Sequence, residues 1–139
     1  FQNGGVDAVW TVEPWVTRIE RDAKAHVFLE DKDTITTWLV SSVKFLHDRR
    51  ELAKKIADAN VELTKWMQQN QAEAQKLLIT ELKAETRADF PPDAVAQAWN
   101  RIQFTSEVSR DLIAKSVQDG KDAGFLKGST DTSKLVETP

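Results

Sequence analysis

The sequence predicts an α/β chain of three strands followed by about four helices. Three observations carry that expectation. Residues 6–12 set Val6, Ala8, Trp10 and Val12 against Asp7, Val9 and Thr11, the period-two pattern of a strand, with Val9 implying that both faces are partly covered. The runs "AHVFLE" and "ITTWLVSSVKFL" are rich in β-branched and aromatic residues, which suit a pleated and half-buried surface. From His47 onward the period changes: Leu52, Ile56, Leu63 and Met67, then Ala74, Leu78 and Leu82, recur at helical spacing.

Each element has its own justification. "FQNGG" reads as the last residues of a helix followed by capping glycines, which predicts that something lies upstream. After the first strand, Pro14 suits the first turn of a short helix to about Asp22, because its missing N–H has no partner there anyway. That helix is expected to turn Trp15 and Ile19 inward. "AHVFLE" then completes a β-α-β unit with a right-handed parallel crossover. "DKDT" breaks the pattern, and residues from Ile35 form the third strand.

The two long helices should meet near Asn70 in "QQNQAEA". "FPPDAVAQAWNRI" opens on a breaker pair and places Val95, Ala98, Trp99 and Ile102 on one face of the next helix. The last helix is expected to start at a Thr105 or Ser106 cap and to end near Gly124, leaving an aperiodic tail. Three strands rarely make a sheet with helices on both faces, so partner strands are expected outside this chain.

Composition narrows the function. The chain has 139 residues, 40% hydrophobic and 29% charged, which is ordinary for a globular protein. Its formal charge is -3 with both signs interleaved, so the electrostatic footprint of a nucleic-acid binder is missing. "RRELAKK" reads as a solvated helix face. With no cysteine there is no disulfide, thiolate metal site or cysteine nucleophile. His26 and His47 lie in different elements without a second ligand or acid at suitable spacing, so neither a metal site, a cofactor site nor catalysis is expected.

Five tryptophans remain to be explained. Trp66 and Trp99 sit on or beside helical apolar stripes and read as core. Trp10, Trp15 and Trp38 fall at a strand end, a helix start and the middle of the strand after a break; core packing and ligand contact are equally open for them. Glu13 lies beside the positive end of the helix that Pro14 begins. It serves either as a cap or as an outward acceptor for a ligand's amine, amide or hydroxyl.

"GGVDAVWTVEPW" followed by "AHVFLEDKDTITTWLVSSVKFL" resembles the C-terminal half of periplasmic solute-binding proteins of the nitrate, sulfonate and taurine importer family, whose relatives also bind thiamine precursors. "FLHDRRELAKKIADANVELTKWMQQNQAEAQKLL" and "AWNRIQFTSEVSRDLIAKSVQDGKDAGFLKG" resemble later segments of that family, so the similarity runs over residues 1–128. His47, Asp48, Arg49 and Gln71 stand where relatives often carry prolines.

The resemblance implies the C-terminal portion of a two-lobed fold of the second periplasmic-binding-protein type. Residues 1–30 would end lobe two, 31–35 would cross the hinge, 36–128 would complete lobe one and 129–139 would be a tail. It further implies non-catalytic capture of a small anionic or zwitterionic solute (sulfonate, taurine, nitrate or pyrimidine-like) in an interlobe cleft that closes by hinge motion. Trp10, Glu13 and Trp15, with Thr36, Thr37 and Trp38 behind them, become the candidate ligand-facing positions. The implied partners are the small molecule and ABC permease subunits, with no nucleic acid. The implied location is periplasmic, with membrane contact only through the permease or a lipid anchor upstream. Two alternatives stand beside it: a helical protein–protein interaction module, and an enzyme on the same scaffold.

Overall fold

The computed structural model describes residues 1, 3–32 and 34–137, and every regular element among them is a helix. In order they are α1 (Trp15–Ala23), α2 (Val43–Asp48), α3 (Arg50–Gln69), α4 (Gln71–Thr86), α5 (Pro92–Trp99) and α6 (Arg110–Asp122). The expected α/β class, with its three strands and right-handed crossover, is therefore overturned. Residues 6–12, 25–30 and 35–41 carry no strand, and the second half of the third expected strand is α2, whose N-cap Ser42 accepts the Phe45 N–H at 3.1 Å.

The physical reason is that alternation supplies only half of what a strand needs. Strand residues must also find a partner whose N–H and C=O groups complete a ladder, and none of these runs does. Their side chains stay in solvent instead: Val6, Val9, Trp10, Phe28, Leu29, Leu39 and Val40 are all exposed. The type II periplasmic-binding-protein architecture, which requires that sheet, falls with it.

The helical expectations fare differently, because caps and 3.6-residue spacing act locally. α3 and α4 are separated by Asn70 alone, whose side-chain amide donates to the Trp66 carbonyl. Pro92 opens α5, and the stripe predicted there is the centre of the core, with Ala94, Val95, Ala98 and Trp99 buried. Ile102 lies beyond the helix and is exposed. α6 begins later than expected. Ser109, not Thr105 or Ser106, accepts the Leu112 N–H. The helix ends where Gly124 takes a φ of 78° and the chain folds back, the Phe125 and Leu126 N–H groups both donating to the Gly120 carbonyl. A Cβ at Gly120 would meet the Leu126 side chain at 3.2 Å, so Leu126 would have to give by a few tenths of an ångström.

The chain divides into two compact units. One comprises residues 1–32 and 63–105, the other 33–62 and 106–139, so α3 contributes to both. In the first unit α5 packs against α1 and α4, burying Phe90 and Thr17 along with its own apolar face. The second unit contains α2, the start of α3 with buried Ala53, and α6. The Arg50 guanidinium reaches the Glu137 carboxylate there at 2.9 Å. Asp33, within the expected hinge crossing, and Thr138 and Pro139 of the expected tail lie outside the described residues, as does Gln2.

Candidate functional site

The entry to α1 is built by three successive donors and two acceptors. The Trp15 and Val16 N–H groups donate to the Val12 carbonyl, and the Thr17 N–H donates to Glu13 Oε2 at 3.1 Å. A helix start leaves its first N–H groups without intrahelical partners, and this corner satisfies them before the regular ladder takes over at Arg18. Glu13 thus performs the capping role, from the position preceding the N-cap Pro14.

Its second oxygen is also committed. Arg101, in the turn after α5, donates from Nη1 to Glu13 Oε1 at 3.0 Å and to Glu20 Oε2 at 2.6 Å, and from Nη2 to Glu20 Oε1 at 3.3 Å. Glu13 is 8% exposed, so its carboxylate faces this network rather than solvent. The two acids, Glu20 foremost, raise the pKa of the Arg101 guanidinium above its ordinary value by hydrogen bonding to its charged form. Arg101 was invisible to sequence reasoning because its partner stands 88 positions away.

The other sequence candidates separate. Trp10 is 69% exposed, the most open of the indoles discussed here. Trp15 is half covered: Phe90 meets its ring in a T-shaped contact at 5.7 Å, and the Arg18 guanidinium lies 5.8 Å from its centroid. Trp10, Glu13 and Trp15 belong to the first compact unit, whereas Thr36, Thr37 and Trp38 belong to the second and are exposed. Trp99 is core, tilted against Phe104 at 4.5 Å, while Trp66 is only partly covered.

Beside the Glu13 corner the first unit contains a concavity of about 390 Å³. It is lined by Pro14, Thr17, Arg18, Arg21 and Asp22 at and along α1 and by Asp89, Phe90, Pro91 and Ala94 leading into α5. Arg18 is clamped between rings, 5.5 Å from the Phe90 centroid as well as over Trp15, and its Nε donates to Asp22 at 3.3 Å. Arg21 is spent on Asp93 at 2.8 Å, and Asp89 on Lys83 at 2.9 Å. Thr17 Oγ1 is buried with no hydrogen-bond partner in the protein. Neither the composition nor the motifs pointed to this pocket. Its sequence trace is the pair of arginines three apart on α1 and the "FPP" breaker that faces them.

Among the described residues no group of three or more His, Cys, Asp or Glu side chains could hold a metal ion, and no helix is long and apolar enough to cross a membrane. No protein-family model, curated protein or solved structure matches this chain.

Proposed function

We propose that the chain serves solute capture for an ABC-type importer, taking a small anionic or zwitterionic solute and handing it on without covalent chemistry. The observation that carries this reading is the pair of indoles flanking a fixed corner. Trp10 stands largely in solvent and Trp15 is half open, while Glu13 between them is tied to the Thr17 N–H and to Arg101. An exposed aromatic three residues from a tethered corner offers a flat apolar wall, which is what a small-molecule contact needs. The similarity of residues 1–128 to the nitrate, sulfonate and taurine family supports the same reading. With it come an extracytoplasmic location and a permease as partner.

Thermal melting of the chain against taurine, an alkyl sulfonate, nitrate and a pyrimidine tests it, since a ligand that binds only the folded form raises the midpoint by mass action. One of the four should raise it, and Trp10→Ala should weaken that ligand about tenfold, roughly 1.4 kcal/mol. No shift with any of the four removes the reading.

A second reading, a helical interaction module, is favoured by one specific feature. Leu52, Ile56 and Leu63 share a stripe of α3 and all three are exposed. A ligand-induced melting shift that survives Leu52→Ser with Leu63→Ser favours capture over docking.

A further inference from the structure

We infer that the concavity between α1 and the Phe90–Pro91 turn, which adjoins the tryptophan corner, is a binding site for a small monocarboxylate with a compact apolar body. At about 390 Å³ it lies within the usual range of small-ligand pockets. Its charges decide the ligand class. Two arginines and two aspartates line it: Arg21 and Asp89 are paired with Asp93 and Lys83 outside the concavity, and Asp22 accepts from Arg18 Nε.

Arg18 is the exception. Its Nε donates to Asp22 and its guanidinium carbon lies 5.8 Å and 5.5 Å from two ring centroids, yet among the described residues neither Nη group makes a hydrogen bond or an ion pair. A guanidinium fixed in this way, with its outer edge free, presents two parallel donors to a carboxylate and loses little entropy in using them.

The apolar lining sets the rest of the molecule. Phe90 and Ala94 are buried in the core and back this part of the lining, and the apolar surface open to a ligand comes from Pro14 and Pro91. A bare inorganic anion would leave this surface unused, and a cation would meet Arg18 and Arg21. An apolar body with one carboxylate uses both halves. Thr17 adds a buried hydroxyl whose hydrogen bonding is unsatisfied within the protein.

Phenylacetate, 2-phenylethanol and phenethylamine share the ring and differ in the polar end. Titrated into the intact 139-residue chain and followed by amide chemical shifts, phenylacetate should bind about tenfold more tightly than the alcohol, and the amine most weakly. The largest shifts should fall on Thr17, Arg18, Phe90 and Ala94. Arg18→Gln should bring phenylacetate down to the alcohol's affinity, while Arg50→Gln, in the second compact unit, should leave it unchanged. Should Arg18→Gln lose its fold by circular dichroism, Arg18→Lys serves instead and should lose part of the preference. Equal affinity for acid and alcohol, unchanged binding in the folded Arg18 variant, or shifts centred elsewhere would overturn the assignment. Because the concavity adjoins the tryptophan corner through Pro14 and Trp15, a melting shift in the importer-solute panel is assigned by variant: loss in Trp10→Ala but not Arg18→Gln places it at the corner, the reverse in the concavity.

Discussion

Arg101 joins two acids from opposite ends of the first turns of α1, and the energetics of that trio rest on how far each member has left water. Glu13 is almost fully covered, whereas Arg101 and Glu20 are partly so. Removing the arginine would leave Glu13 with a covered charge and only the Thr17 N–H to answer it. Arg101→Met should therefore destabilise the chain by about 2 kcal/mol in urea unfolding. Adding Glu13→Gln should recover part of the loss, because the uncompensated charge goes with it. A loss below about 0.5 kcal/mol would mean that the trio behaves as an ordinary surface cluster. Glu13 also shows why sequence alone left two roles open. A carboxylate beside a helix start is equally suited to capping and to meeting a ligand, and an arginine 88 positions away decides where its second oxygen points.

At the scale of elements, α5 is the hinge pin of the first unit, and its first turn carries a pH-sensitive link. Arg21 holds the Asp93 carboxyl below the usual carboxylate range by hydrogen bonding to its ionised form. A depressed carboxyl contributes stability above its unfolded pKa, about 3.9, and that contribution disappears as pH falls through the lower folded value. The melting midpoint of Asp93→Asn should thus lie below the parent's at pH 7, and the difference should close as pH drops below about 4. A constant gap would assign the effect to something other than this pair. The helices themselves were legible before folding was considered. The α5 stripe, the Asn70 junction and the Gly124 terminus follow from spacing, capping and backbone freedom, which act within a few residues. The sequence could not fix the start of α6, because several hydroxyls in "FTSEVS" suit a cap and it is Ser109 that accepts the Leu112 N–H.

Over the whole molecule the notable feature is how much large apolar surface stays in solvent. Phe28 is 83% exposed and Phe125 86%, with Leu29, Leu39, Val40 and Val43 also open. Surface of this kind marks contact regions or a tendency to associate. The chain should bind an apolar dye such as anilinonaphthalene sulfonate in its native state and show a weight-average mass that rises with concentration. Phe28→Ser with Val40→Ser should reduce both, and an unaltered dye signal would show that these side chains are not its source.

By itself the sequence determined the buried stripe of α5, the α3–α4 junction at Asn70 and the end of α6 near Gly124, that cysteine chemistry is absent and that charge is spread without a basic stripe. Each depends on residue type or on neighbours within one or two turns. Tertiary structure decided the fate of the alternating runs, the direction of Glu13 and the pocket around Arg18. A strand exists only if a distant segment completes its ladder, and a carboxylate turns inward only if a distant cation meets it. Such pairings join residues that no local spacing connects.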